Sequence, residues 1–174
     1  MLTFILIAST IILILIDQLT KFWAISQLHN ANQVIPVIDG VFELRYLENH
    51  GAAFGILKNE MWFLIPVTLI VSCLFLVMLV RSPLRRRPMF CIPSVMIFAG
   101  AIGNLIDRIF HGYVVDFLYF KLINFPIFNF ADCCVVVGAI LFFVYFIFIL
   151  KDDDMPLRTM FFGIEKKAEE KNDG

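Results

Sequence analysis

Charge is scarce in this 174-residue chain: 17% of residues are Asp, Glu, Lys or Arg, whereas 60% are hydrophobic. A soluble domain carries about 25% charged residues, so this composition excludes that class and indicates a membrane protein. No nucleic-acid footprint is present: net charge is −1, and the single basic cluster is Arg81, Arg85, Arg86 and Arg87. The four cysteines, Cys73, Cys91, Cys133 and Cys134, lack the paired spacing of a zinc site and read as packing residues. His29, His50 and His111 are scattered through the sequence without an H-E-x-x-H pairing, so a helical metal-hydrolase motif is excluded. Ser72 and Ser94 have no base at plausible sequence reach. The apolar run Leu2 to Ile16 lacks a basic n-region and continues into Asp17, Lys21, Phe22 and Trp23 instead of a small-residue cleavage site. It is therefore expected to remain as a first span and not to be removed as a signal peptide.

What is present is a set of long apolar runs. A helix needs about 20 residues to cross a hydrocarbon layer of about 30 Å, and four segments qualify: Leu2 to Trp23, Met61 to Val80, Met89 to Phe110 and Ala131 to Leu150. In lipid each span must satisfy its own backbone, so each is predicted to be helical despite its β-branched residues and phenylalanines. Pro66 and Pro93 fall in early turns, where proline is best tolerated. The arginine cluster between spans two and three is expected to stay in the cytoplasm, which places both termini there as well. The segments Ala24 to Glu60 and His111 to Phe130 then face outward, with Asp116 and Asp132 on that side. Trp23, Trp62, Tyr113 and Tyr119 fall near the same boundary.

The fold class is thus an all-α integral membrane protein of four transmembrane helices, with a small extracytoplasmic β element between helices 1 and 2. That element, at about residues 33–60, is suggested by the Asp39-Gly40 turn signal followed by alternation of Phe42, Leu44 and Tyr46 with Glu43, Arg45 and Leu47. Residues 1–150 form the membrane domain. Residues 151–174, with their mixed charge, read as a mobile cytoplasmic tail.

Several polar residues interrupt the spans. Asp17 and Lys21 share one helix face, acid before base; spacing alone favours a lysine reaching for the interface beside an acid, and a functional role would need other polar groups converging there. Asn104 and Arg108 also lie one turn apart, after Gly100-Ala101-Ile102-Gly103, whose small residues permit close helix packing. Arg108 is either a boundary cation or a fork aimed inward at a carboxylate or peptide carbonyl. Asp132 can serve as a first-turn acid that complements the dipole of span four. Asp116 has no comparable structural role. An acid near a bilayer core costs roughly 2.5–3.5 kcal/mol and usually serves a function. Two carboxyls that meet cannot both ionise comfortably, so such a pair holds one proton between them and can activate water.

Five motifs in order, Asp17-Gln18-Leu19-Thr20-Lys21, Asn49 to Gly55, Gly103 to Arg108, Val114 to Phe117 and Phe128 to Asp132, resemble the bacterial lipoprotein signal peptidase (signal peptidase II) family over residues 1 to about 150. The resemblance implies an aspartic endopeptidase of the bacterial inner membrane, acting near its outer face. Its substrates would be prolipoproteins already carrying diacylglycerol on the lipobox cysteine, cut just before that cysteine. By residue matching, Asp116 and Asp132 are the catalytic dyad, and Asp17, Lys21, Asn49, Gly51, Asn104, Arg108, Asn129 and Ala131 build, orient or line the substrate site. No cofactor or metal is implied; membrane lipids surround the chain, and the cyclic peptide globomycin is implied as an inhibitor. The rival from another class is a small ion- or proton-coupled transporter, since charges inside spans suit that role too. A non-catalytic assembly subunit packing through Gly100 and Gly103 is a third possibility, but it leaves the carboxylates without a purpose.

Overall fold

Four long helices and one small antiparallel sheet make up the computed structural model, which describes residues 1–31, 33–51, 60–81 and 87–149. The stretch Ala52 to Gly55, Arg85, Arg86 and the tail 151–174 lie outside the described residues. Helix α1 (Leu2–Ala24) runs on through a π-helical turn at Ile25–His29; α2 spans Met61–Arg81 and α3 Pro88–Phe110. Helix α4 (Phe130–Val144) likewise continues as a π-helical turn, Tyr145–Ile149. These match the expected spans to within a few residues, and all four are long and apolar enough to cross a membrane. Pro88 opens α3, where its missing N–H is no loss.

The apolar surface of α1 faces outward: Phe4, Ile7, Ile11, Leu15, Leu19 and Phe22 are exposed, whereas Asp17, Lys21 and Ala24 are buried. That is inverted relative to a soluble helix and suits a lipid surround. Helix α3 is the central element, packed on α1, α2 and α4. Its approach to α4 depends on glycines of both helices. A Cβ on Gly100 would lie 2.5 Å from the Ala131 carbonyl oxygen, and one on Gly138 would lie 3.0 Å from that of Pro93. Near the arginine-bearing ends of α2 and α3, Met78, Phe90, Cys91 and Tyr145 form one apolar cluster. At the other end, Ala24, Leu28, Val115 and Phe117 form a second, beneath Leu44 and Tyr46.

The expected hairpin is present as β1 (Val34–Ile38) and β2 (Phe42–Asn49), with Gly40 at φ +71° in its turn. The sheet is larger than a β element confined between helices 1 and 2. A third strand, β3 (Val114–Phe120), comes from between α3 and α4 and pairs antiparallel with β2, Leu47 opposite Asp116 and Asn49 opposite Val114. It escaped notice because Val114 to Phe117 are all buried, so the segment has no apolar–polar alternation to betray a strand. The chain then turns back and Phe128 exchanges hydrogen bonds with Leu118, which delivers Asn129 and the start of α4 beside Asp116. Glu43, buried on β2, pairs with Lys121 just beyond β3 at 3.1 Å.

Candidate active site

Helical spacing turns Asp17 and Lys21 toward α3. Both are almost completely buried, so the lysine does not reach for an interface. Its Nζ has three donors and finds three acceptors: Asp17 Oδ2 at 2.9 Å, Asp107 Oδ2 at 3.0 Å and Asn104 Oδ1 at 2.9 Å. Gln18 Nε2 adds bonds to Asp17 Oδ2, Asp107 Oδ1 and the Gly103 carbonyl. Close passage of α1 and α3 requires Gly103, since a Cβ there would run into the Asp17 carboxylate.

Asn104, held by the lysine through its oxygen, donates through Nδ2 to Asp132 Oδ1 at 2.8 Å. The other Asp132 oxygen accepts the Asn129 backbone N–H at 3.1 Å, while Asn129 Oδ1 accepts the Asp132 backbone N–H at 2.9 Å. That reciprocal pair is a capping box on α4. Asp132 is therefore a first-turn acid and also part of the polar network; the two roles use different oxygens. Asn129 Nδ2 reaches Asp116 Oδ1 at 2.7 Å and Asn104 Oδ1 at 3.1 Å. Asn49 Nδ2 donates to the second Asp116 oxygen at 2.8 Å, its own carbonyl fixed by the Gly51 N–H. Two asparagines thus link the two acids.

Asp116 lies on β3 with almost no exposure. Burial raises its carboxyl to about 7, with the nearby Asp132 charge acting in the same direction; the Asn49 and Asn129 hydrogen bonds and Lys21 oppose the shift but do not cancel it. Asp116 therefore keeps its proton in acid and is half-protonated near pH 7. Arg108 is the underused group: Nη1 and Nη2 reach the carbonyls of Asn104 and Gly51 only at 3.5 Å each, and its buried Nε has no hydrogen-bond partner. Bonds of that length are weak. An incoming carbonyl or carboxylate would find donors ready.

All ten residues singled out from the sequence, Asp17, Lys21, Asn49, Gly51, Asn104, Arg108, Asp116, Asn129, Ala131 and Asp132, belong to one hydrogen-bonded network; Ala131 joins it through its N–H on Asp17 Oδ1 at 2.9 Å. Two further members of the network, Asp107 and Gln18, are not among the residues singled out from the sequence. The available signal was the spacing of Asn104, Asp107 and Arg108, which puts three polar groups on one helix face. The histidines, scattered in sequence, lie beside two tyrosines: His29 lies 4.4 Å from the Tyr46 ring, and His50 and His111 lie 5.5 and 5.7 Å from that of Tyr113. Among the described residues no group of three or more His, Cys, Asp or Glu is arranged to hold a metal ion.

Residues 9–148 match the profile of the Peptidase_A8 family, signal peptidase (SPase) II. A lipoprotein signal peptidase of Clostridium tetani is 42% identical over 151 residues, covering 85% of this chain and 94% of that protein. One from Clostridioides difficile is 42% identical over 139 residues, 79% of this chain and 91% of that one. Among solved structures, a bacterial membrane enzyme determined by the in meso method at 2.3 Å superposes with a TM-score of 0.75 at 27% identity, covering 87% of this chain and 94% of that one. A second, at 1.9 Å, gives 0.73 at 29% identity, covering 83% and 94%.

Proposed function

Since this chain belongs to the signal peptidase II family and has four helices able to span a bacterial membrane, we propose that it removes the signal peptide from diacylglyceryl-modified prolipoproteins by aspartic catalysis. The observation that carries this reading is the linkage of Asp116 and Asp132 through Asn129 and Asn104, with the Asp116 carboxyl raised to about 7. A transporter is not favoured by these relatives.

The dyad holds one proton. The ionised carboxylate takes a proton from water as the water attacks the scissile carbonyl, and the protonated partner, Asp116 at neutral pH, hydrogen-bonds the carbonyl oxygen. Transfer of that partner's proton to the oxygen gives a tetrahedral diol, and a diol hydroxyl returns the proton when the carbonyl re-forms. Return of a proton to the departing amine breaks the C–N bond, releases the signal peptide and leaves the lipidated cysteine as the new amino terminus. Arg108, with donors to spare, and the Gly51 carbonyl beside it hold the peptide backbone, which supplies the positioning that makes water attack productive. Asn49, Asn104 and Asn129 hold the acids themselves. No cofactor enters this sequence, and a globomycin-type cyclic peptide would compete for the same backbone-binding groups.

The active site is placed near the outer face of the inner membrane, with both termini cytoplasmic. Arg81 closes α2 and Arg87 precedes α3, whereas Asn104 and Arg108 lie at the opposite end of α3 with the acids. Basic loops remain inside, so the acids and the sheet face outward. A signal peptide's apolar segment can then lie in lipid while its cleavage point emerges near the headgroups, with the diacyl chains in the leaflet and the sheet against the membrane surface as a clamp. An Asp39→Cys variant in intact spheroplasts is expected to react with a membrane-impermeant maleimide; protection until lysis would reverse the assigned orientation.

The central experiment is reconstitution with a diacylglyceryl-modified prolipoprotein and mass spectrometry of the products. Cleavage is expected immediately before the lipidated cysteine, and unmodified precursor should survive. In the same assay, kcat/KM is expected to fall above pH 7 by about tenfold per pH unit, because loss of the shared proton leaves two charges and no acid for the carbonyl. A flat profile to pH 9 would sink the shared-proton mechanism.

A further inference from the structure

Asp107 takes no part in the reaction described above, yet it is charged, 1% exposed and fully engaged. Its Oδ2 accepts the Val115 backbone N–H at 3.0 Å as well as the Lys21 ammonium at 3.0 Å, and its Oδ1 accepts Gln18 Nε2 at 3.0 Å. Asp17 mirrors this arrangement from α1: Oδ2 meets the same ammonium at 2.9 Å, and Oδ1 accepts the Ala131 backbone N–H at 2.9 Å. Val115 and Ala131 are the residues immediately before Asp116 and Asp132. One buried lysine with two carboxylates therefore spans the gap between the two main-chain segments that present the acids.

Stability alone does not account for such a unit. A buried ion cluster carries a large desolvation penalty, and apolar residues of similar volume often serve a fold as well or better. What apolar residues cannot do is hold two backbone N–H groups of different elements on two carboxylates that share one cation. Consecutive Cα atoms are about 3.8 Å apart, so holding Val115 and Ala131 leaves the next residue little room to drift. The third bond of the ammonium, to Asn104 Oδ1, also orients that amide so that its NH2 faces Asp132.

We infer that Asp107, together with Lys21 and Asp17, is a positioning unit that sets the separation of Asp116 and Asp132 and touches no substrate, a role that rests on the dyad reading above. It narrows Asp17 and Lys21, which the resemblance gives only as residues that build, orient or line the substrate site, to the support beneath that site. A displacement of about 1 Å in a reacting group can cost roughly 100-fold in rate, which sets the size of the expected effect.

The test compares Asp107→Ala with Asp107→Asn in the full chain, reading kcat and KM per folded molecule together with hydrogen exchange at the Val115 amide. Asp107→Asn keeps an oxygen for the Val115 N–H, and a rotated Gln18 amide can meet its NH2 group. Asp107→Ala removes that acceptor. Expected are a fall in kcat of about 100-fold for Asp107→Ala with KM within twofold, faster exchange at Val115, and recovery to within tenfold of the unsubstituted rate for Asp107→Asn. An equal loss in both variants overturns the proposal, as does a loss matched entirely by the fall in folded protein. A raised KM at unchanged kcat also overturns it, by moving the unit onto the substrate. Should Asp107→Ala not fold, a 100-fold loss in folded Asp107→Asn is itself fatal. Failure of the unsubstituted chain to cleave would sink the proposed function instead; unchanged Val115 exchange in Asp107→Ala would then still refute the positioning unit.

Discussion

Asp116→Asn and Asp132→Asn are each expected to lower prolipoprotein cleavage by about 10⁴-fold while leaving a folded protein, as general acid–base groups of a coupled pair do when one is neutralised. Their effects on stability should differ. Asp132 uses both oxygens as acceptors, from the Asn129 N–H and the Asn104 amide, and an asparagine offers only one. Loss of one hydrogen bond and of a first-turn charge costs about 1–2 kcal/mol, visible as a lower Tm in detergent. Asp116 is in the opposite situation. Its native value of about 7 lies above the ordinary 3.8, so the unfolded chain gives up that proton first. Stability from this group is then complete at low pH and declines as pH rises toward 7. Asp116→Asn should abolish that decline. Cleavage above 1% of the unsubstituted rate in either variant would remove that residue from the dyad.

The second large effect concerns glycine. Gly100→Ala and Gly103→Ala should each cut activity by about 100-fold or more. On an exposed helix the change from Gly to Ala favours the helical state by about 1 kcal/mol. Here the added Cβ meets fixed atoms. At Gly100 it would lie 2.5 Å from the Ala131 carbonyl oxygen and 2.8 Å from Val135 Cγ2; at Gly103 it would lie 3.0 Å from Asp17 Cγ and 3.4 Å from Ala131 Cβ. Overpacking typically costs 1–3 kcal/mol, which outweighs the propensity gain. Relief must come from a shift of α4 at its first turn, which carries Asp132, or of Asp17, which holds Ala131. Gly138→Ala is the control. Its Cβ would crowd Ile97 Cγ1 at 2.9 Å and the Pro93 carbonyl at 3.0 Å, far along α4 from the dyad. Lower Tm with unchanged activity per folded molecule is expected there, against loss of both at Gly100 and Gly103. Full activity in folded Gly100→Ala would mean that α4 placement does not govern the site.

The four spans could be read directly, because lipid imposes a length and an apolarity that composition reports without any tertiary knowledge. Asp39-Gly40 marked the hairpin for a similarly local reason: Gly40 adopts a positive φ that its type allows. Strand β3 was not readable. Its burial comes from α1, β2 and the returning chain at Phe128, none of which is near it in sequence. Lys21 left two local explanations open, and only the arrival of Asp107 and Asn104 from α3 decided between them.

By itself, then, the sequence determined a four-span apolar frame, a family, and the residue types on which the chemistry draws, since helix length, turn preference and motif spacing are properties of neighbouring residues. Tertiary structure alone decided that Asp116 and Asp132 are joined through Asn129 and Asn104, that Arg108 keeps donors in reserve, and that Asp107 accepts both the Val115 N–H and the Lys21 ammonium. Those facts depend on hydrogen bonds between groups dozens of residues apart, whose lengths exist only once the helices have packed and the sheet has closed over their ends.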